Sequence, residues 1–368
     1  MSERTLLLVG AGHAHLGVIE ALGKSAIPNS RVVLVEPLDA MRYSGMVPGW
    51  IAGEYRASEA MIPLAPLVEK SGLDWRKARL VSLDPLAKSA LLDTGEIVSF
   101  DICSIATGGV GQAADVIGKD PRLLDIRPID QFIEHWRALR DGVALPRRIA
   151  VIGGGAGGVE LVFGLRNAPA LDDPQIILVA GSSGPLPDHS KAISRSVQRE
   201  CERQGIRILA EDARFENAAL MAGGTSLEPV DLVVAAVGSG APRWPKACGV
   251  PVDDEGFIRV DQHQRTCGFP AIFATGDVAR RTDSYLPHSG VHAVYAGPVL
   301  AANLRRAMAG KPPQRSYRGI GMNFYLLNTG RGEAILSYAG FALKGRWLRR
   351  LKDWLDRRWI DRFTVPGG

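Results

Sequence analysis

The sequence predicts an α/β protein with two parallel sheets, and three observations carry that prediction. The apolar run Leu6-Leu7-Leu8-Val9 ends at Gly10, helical spacing follows over residues 13–23, and a second run comes at Val32-Val33-Leu34-Val35. The same order returns at Ile149-Ala150-Val151-Ile152, with Gly153 to Gly158, a helix through Arg166 and the run Ile176-Ile177-Leu178-Val179. Third, glycine makes up 42 of 368 residues, against an average near ~7%, without a collagen period. Such glycines serve backbone positions that need positive φ or a close approach.

Continuous rather than alternating apolar runs mark strands buried on both faces of a parallel sheet. Each β-α-β opening has the length of one supersecondary unit, about 30 residues. The two openings stand 143 residues apart (153 − 10), which predicts two Rossmann-like, dinucleotide-binding domains. Between them residues 78–105 alternate and turn repeatedly, with Asp84-Pro85 and Thr94-Gly95 as turn signals. That pattern predicts an antiparallel meander insert. Ile129 to Leu139 reads as a helix, and Asp141 to Arg147, with Gly142 and Pro146, as a linker. After Val237, Pro and Gly break the chain up to Pro251. A strand is predicted at Ala271–Ala274 and a helix from Val291 to Met308, ended by Lys311-Pro312-Pro313. The expected domains are residues 1–115 with 245–310, residues 116–244, and a C-terminal α/β region at 311–368. Residues 314–368 read as a separate tail.

The net charge of +5 is that of a mixed-sign solvated surface. Cysteines stand at 103, 201, 248 and 267, without C-x-x-C spacing or a zinc pattern, so no metal is expected and the compartment reads as reducing. Met1 to Thr5 is polar and runs straight into a strand, so no signal peptide is expected. No run of 18 apolar residues exists; Ile149 to Leu165 comes nearest and carries six glycines and Glu160. A cytoplasmic protein is the expectation.

Three motifs carry chemistry. In Gly10-x-Gly12, Gly10 permits the tight turn and Gly12 lets a pyrophosphate approach the helix N-terminus, where free N–H groups favour an anion. His15 stands where the third glycine of the fingerprint belongs, so the helix must pack differently here. Glu36 follows 26 residues after Gly10 at a strand end, placed to accept hydrogen bonds from ribose hydroxyls. The second cluster, Gly153-x-Gly155-x-x-Gly158, is complete. Its strand ends at Ala180 and runs into Gly181-Ser182-Ser183, with neither a ribose acid nor an adjacent arginine for a 2′-phosphate. NADH and NADPH are therefore not distinguished. The third motif is Ala271-Ile272-Phe273-Ala274-Thr275-Gly276-Asp277, a short strand that delivers an aspartate suited to sugar-alcohol hydroxyls.

These pieces occur in one order with Ala106-Thr107-Gly108, Glu160 and Ala236-Val237-Gly238. Over residues 5–305 the chain resembles the two-dinucleotide-binding-domain flavoproteins of the pyridine nucleotide–disulfide oxidoreductase superfamily. Tyr43-Ser44-Gly45-Met46-Val47-Pro48-Gly49, Gly290-Val291-His292-Ala293-Val294 and Leu351-Lys352-Asp353-Trp354 resemble the module fused to selenophosphate synthetase in some proteins. That module is similar to type II NADH dehydrogenases and sulfide:quinone reductases. The resemblance implies FAD in the first domain and NAD(P)H in the second. It assigns Gly10, Gly12, His13 and Ala14 to the FAD pyrophosphate, Glu36 to its ribose and the backbone of Leu80 to adenine. Ala106, Thr107 and Gly108 line the crossover, Gly276 and Asp277 meet the ribityl chain, and Gly290 and Val291 face the flavin O2. Gly153, Gly155, Ala156, Gly157, Gly158 and Gly238 go to NAD(P). Glu160 is placed near the nicotinamide and flavin N5, with Tyr43 to Pro48 covering the isoalloxazine. Disulfide reductases of this group carry a Cys pair just beyond the first unit, whereas residues 37–60 here contain none.

Residues 346–363 read RWLRRLKDWLDRRWIDRF. Trp347, Leu348, Leu351, Trp354, Leu355 and Trp359 fall at helical spacing, beside seven basic and three acidic residues. This amphipathic basic helix suits peripheral contact with the inner face of a membrane, or packing on the flavin domain or a second subunit. Nucleic acid is not expected, because the aromatics share one face. His13 and His15 read as local packing groups, and His288 as a candidate proton donor beside the flavin. The expectation is an FAD-dependent NAD(P)H dehydrogenase that passes electrons to an acceptor such as a quinone. The alternatives are a flavoprotein acting on a sulfur or selenium species, and a nucleotide-binding redox sensor or interaction module.

Overall fold

The computed structural model describes residues 3–142, 144–319 and 324–364. The remaining parts of the expected N-terminus, linker and tail (1–2, 143, 320–323 and 365–368) lie outside the described residues. In chain order the first unit consists of β1 (Arg4–Val9), α1 (His13–Lys24), β2 (Ser30–Val35), β3 (Asp74–Arg76) and β4 (Ile102–Ile105). The second comprises β5 (Leu123–Asp125), α2 (Ile129–Arg140), β6 (Arg148–Ile152), α3 (Ala156–Arg166), β7 (Gln175–Val179), β8 (Arg207–Leu209) and β9 (Leu232–Ala235). The chain then returns to the first unit with β10 (Ile272–Ala274) and α4 (Gly290–Met308). The tail forms β11 (Tyr325–Asn328), β12 (Ala334–Tyr338), β13 (Phe341–Gly345) and α5 (Arg346–Asp361).

Two five-stranded sheets result, in the orders β10-β4-β1-β2-β3 and β5-β9-β6-β7-β8. Every pairing within them is parallel. Leu6, Leu7 and Leu8 on β1, and Ala150 and Val151 on β6, are fully buried, as continuous apolar runs covered on both faces require. The meander is narrower than predicted. Its three antiparallel strands lie within residues 80–99, and Ile102–Ile105 joins the parallel sheet instead.

Gly17 and Gly297 bring α1 and α4 together: a Cβ on Gly297 would stand 2.7 Å from the Ala14 carbonyl oxygen. The anomalous His15 has a structural answer. Its Nδ1 donates to the Gly10 carbonyl at 2.5 Å, and its Nε2 accepts from the Ser104 hydroxyl at 2.8 Å. A buried ring hydrogen-bonded at both nitrogens thus ties α1 to β1 and β4, the task the third glycine performs by close packing.

Burial lowers the pKa of His15 to about 4, and does the same at His13, where the Asp277 carboxylate opposes it. Folded, both rings stay neutral down to that pH, whereas the unfolded chain takes up these protons below about 6.5. Stability is therefore complete above pH 6.5 and falls as the pH drops toward 4, by ~1.4 kcal/mol per pH unit for each ring. Urea unfolding at pH 7.5 and 5.0 measures this, with a smaller pH dependence expected in His15→Asn. Equal pH dependence in the variant and the parent would remove His15 from the account.

Candidate functional site

At the first glycine turn, Gly10 has φ +84° and Gly12 lies so close to the crossover that a Cβ would stand 2.5 Å from the Ala106 oxygen. Gly12 caps α1 with no side-chain hydrogen bond. The first N–H groups of the helix, at His13 and Ala14, are left for an anion. Glu36 stands at the end of β2, where its carboxylate accepts from the Ala11 N–H at 2.8 Å and the Leu38 N–H at 3.0 Å. Burial raises its pKa against those two bonds.

Across the turn, His13 Nε2 is buried with no hydrogen-bond partner, and a Cβ on Gly290 would stand 3.4 Å from it. Asp277 is buried and pairs with Arg127 Nη2 at 2.8 Å. Arg127 comes from the segment between β5 and α2, and the sequence reading missed it, because an isolated arginine before proline carries no local signal. Gly276 and Thr275 join β10 to Asp277. Beyond them, Val291 is exposed at the start of α4. Thr107 is exposed too, and Gly108, at φ +73°, has open space where a side chain would point. Leu80 opens the meander and pairs with Leu92. The orphaned imidazole nitrogen, the uncapped helix and the ordered ribose acid fit the pyrophosphate and sugar groups of FAD.

The second turn is tighter. A Cβ on Gly158 would stand 2.0 Å from the Gly153 oxygen, and one on Gly153 would stand 2.3 Å from the Ala236 oxygen. Gly155 and Gly157 differ, with nothing within 4 Å of either Cβ position. Their lack of a side chain serves no packing within the protein and leaves an open cradle at the uncapped start of α3, where Ala156 is the first helical residue. Gly238, at φ +93°, continues the same rim. This cradle fits the pyrophosphate of a nicotinamide nucleotide.

Between the two turns lies a buried charge cluster. Lys352 Nζ stands 3.1 Å from Asp356 Oδ2, 3.8 Å from Glu160 Oε1 and 3.3 Å from the Gly45 carbonyl oxygen. Tyr43 donates its hydroxyl to Asp356 Oδ1 at 3.1 Å, and Glu160 accepts from the Asn328 N–H at 2.8 Å. Arg349 pairs with Glu54 at 2.9 Å on the outer side. Burial works against the Lys352 ammonium, but the Glu160 and Asp356 carboxylates outweigh it and hold the lysine charged far above its usual range. Burial raises the Glu160 pKa, with Lys352 opposing. It also pushes the Tyr43 phenol up, reinforced by Asp356. Trp359 stacks on His13 at 5.4 Å and meets Tyr43 at 4.6 Å between ring centroids. Pro48 lies against α3, its carbonyl oxygen 2.6 Å from a Cβ position on Gly164.

The structure thus brings Tyr43, Pro48 and Glu160 together and leaves His288 apart from them. His288 contacts the Ala279 carbonyl oxygen at 3.2 Å and packs on Phe257 at 4.3 Å. The separate tail of the sequence reading is corrected. Leu348, Lys352, Asp356 and Trp359 of α5 face inward, while Trp347, Trp354 and Leu355 face out.

A family model described as pyridine nucleotide-disulphide oxidoreductase matches residues 4–297. Ferroptosis suppressor protein 1 of Taeniopygia guttata is 24% identical over 354 residues, covering 91% of this chain and 89% of that protein. Demethylphylloquinone reductase NdbB of Synechocystis is 26% identical over 334 residues, covering 85% of this chain and 81% of that protein. In fold, the sulfide:quinone oxidoreductase of Aquifex aeolicus aligns over 98% of this chain and 91% of its own, with TM-score 0.78 and 15% identity. Reduced Bacillus anthracis CoADR-RHD aligns at TM-score 0.76 and 18% identity over 95% of this chain; the chain spans 64% of that one.

Removing one member of a buried ion cluster strands its partners without compensation, at about 3–5 kcal/mol. Lys352→Met is therefore expected to lose roughly that much in chemical denaturation, and Lys352→Arg much less. A Met variant as stable as the parent would show that the cluster carries no structural constraint.

Proposed function

We propose, for a chain that belongs to the pyridine nucleotide-disulphide oxidoreductase family, an NAD(P)H dehydrogenase whose electron acceptor is a quinone. The chain is an FAD-dependent oxidoreductase with a nicotinamide nucleotide as co-substrate. When bound, FAD supplies two-electron acceptance from the nicotinamide and release to an acceptor. The residues of the chain do the rest. The starts of α1 and α3 neutralise the two pyrophosphates, while Glu36 and Asp277 hold ribose and ribityl hydroxyls. Lys352 holds the Glu160 and Asp356 carboxylates in place on the side assigned to the nicotinamide, and Tyr43 with Trp359 would cover that side against water.

The observation that carries this reading is the buried Lys352–Glu160–Asp356–Tyr43 cluster, in which Tyr43 comes from a stretch, residues 37–60, without cysteine. Cys103 and Cys201 are buried, and burial pushes both thiols up, Cys201 to about 12. Such thiols are poor relays, which supports direct transfer. Quinone reductases stand among the chain's relatives by name, which supports a quinone as acceptor.

Purified protein is expected to be yellow, to bleach anaerobically with a reduced nicotinamide and to recover its colour with a soluble quinone. Colour that neither nicotinamide bleaches would overturn the dehydrogenase and favour a sensor. Glu36→Ala and Asp277→Ala are each expected to weaken FAD retention through charge-assisted bonds of about 1.5–3 kcal/mol. Full flavin content after gel filtration in both variants would refute the assignment.

The outer side of the tail supports peripheral membrane contact, through the part of the marked face, Trp347, Trp354 and Leu355, that stays exposed while Leu348 and Trp359 turn inward. Phe341, Trp347 and Trp354 are 73%, 57% and 52% exposed, and Arg346, Arg350 and Arg358 are exposed beside them. Aromatic area with a basic rim suits an anionic bilayer surface. Co-sedimentation with anionic phospholipid vesicles is expected, and its loss in Trp347→Ala/Trp354→Ala with unchanged melting. Equal sedimentation of variant and parent would remove this face from membrane contact. No helix among the described residues is long and apolar enough to cross a membrane.

A further inference from the structure

We infer that Asp212 is the residue that selects the nicotinamide donor, and that it selects NADH over NADPH. The inference rests on the dehydrogenase reading above and extends it to the second cradle. The strand that ordinarily ends in a ribose acid here ends in Val179-Ala180-Gly181-Ser182, with no carboxylate of its own. The structure supplies one from the neighbouring strand. β8 lies beside β7 in parallel register, and its C-terminal extension carries Glu211 and Asp212.

Two hydrogen bonds join that extension to the loop after β7. The Gly181 N–H donates to the Glu211 carbonyl oxygen at 3.1 Å, and the Ser182 N–H donates to Asp212 Oδ1 at 3.2 Å. The loop itself is seated on the second glycine turn. The Leu186 N–H donates to the Gly154 oxygen at 2.7 Å, and a Cβ on Gly154 would stand 2.4 Å from the Ala180 oxygen and 2.7 Å from the Gly184 oxygen. Asp212 is thus fixed to the same loop that borders the open cradle at Gly155 and Gly157. One carboxylate oxygen is held by the backbone, and Oδ2 has no hydrogen-bond or ion-pair partner among the described residues.

The charge at this corner decides between the two nucleotides. The hydroxyls of a ribose diol donate hydrogen bonds to a carboxylate. A 2′-phosphate brings about −1.5 to −2 charges at pH 7 and requires cations. Neither Glu211 nor Asp212 forms an ion pair with any described residue; the Glu211 side chain lies against Gly223, and the Asp212 carboxylate stays without a cation beside the loop. Ser182 and Ser183 offer hydroxyls but no positive charge. The corner that would receive a 2′-phosphate is therefore anionic, and like charges at short range repel.

Titration of the FAD-loaded protein with NAD⁺ and with NADP⁺, followed calorimetrically, tests this, together with anaerobic flavin reduction by each reduced form. NAD⁺ is expected to bind about tenfold or more tightly than NADP⁺. Asp212→Asn keeps an acceptor for Ser182 but loses the charge, and is expected to narrow the gap at least about threefold by improving NADP⁺. Asp212→Ala is expected to weaken NAD⁺ as well. Tighter NADP⁺ binding by the parent, or a preference unchanged in both variants while NADH still bleaches the flavin, overturns the assignment to Asp212 alone. Binding of neither nucleotide overturns the dehydrogenase reading and this inference together.

Discussion

The placement of one ammonium group governs how the parts of this molecule meet. Lys352 is removed from water on α5, and a buried charge is tolerated only with compensating charge and hydrogen bonds around it. Asp356, one turn further along the same helix, supplies one carboxylate. Glu160 on α3 supplies the other, and the Gly45 carbonyl of the loop after β2 completes the set. These partners come from the tail, the second sheet unit and the first. Satisfying the lysine therefore fixes the mutual placement of three segments at one point. A buried pair is weak evidence of net stability, but it is strict about geometry, because each misplaced partner leaves a charge stranded. Trp359 extends the constraint along the same face of α5 by stacking on His13 at the phosphate turn and on Tyr43 in the covering loop.

What the sequence makes legible follows from the range of the physics involved. The strands and turns of both sheet units are local facts: four apolar residues ending in glycine need no distant partner to be recognised. The face of α5 is not local. Periodicity groups Trp347, Leu348, Leu351, Trp354, Leu355 and Trp359, and treats Lys352 and Asp356 as solvent residues. The structure rotates that assignment, because Glu160, 192 residues earlier (352 − 160), waits for Lys352 on the protein side. Arg127, against Asp277, is hidden for the same reason. Asp212 is hidden differently. A search for a ribose acid looks at the end of β7, and the carboxylate arrives from β8, which only the strand order brings alongside.

The two glycine turns show one task solved with different materials. In the second, Gly158 lets α3 descend onto Gly153 with no room for a Cβ. In the first, a histidine fills that position, and its two hydrogen bonds hold α1 at the distance the ring imposes. The exchange has a cost: the ring must stay neutral, so the fold acquires an acid-sensitive tie where a glycine would carry none. His13 beside it shares the neutral state for a different reason. Its Nε2 has no hydrogen-bond partner among the described residues, so it remains available to oxygen atoms arriving at the turn.

The missing cysteine pair and the charge cluster belong to one argument about where electrons leave. A dithiol relay lets an enzyme separate its acceptor from its flavin, because the reduced thiols carry the electrons outward. Residues 37–60 offer no thiol, and Cys103 and Cys201 are buried, which pushes both thiols up. On the proposed reading the acceptor must then reach the flavin itself, through an opening lined by groups that a quinone ring can slide along. Val291 and Tyr295 lie four residues apart on α4, so they share one face of that helix, and both are exposed, at 41% and 60%. Apolar and aromatic area at the start of the helix assigned to the flavin suits the approach of a quinone ring.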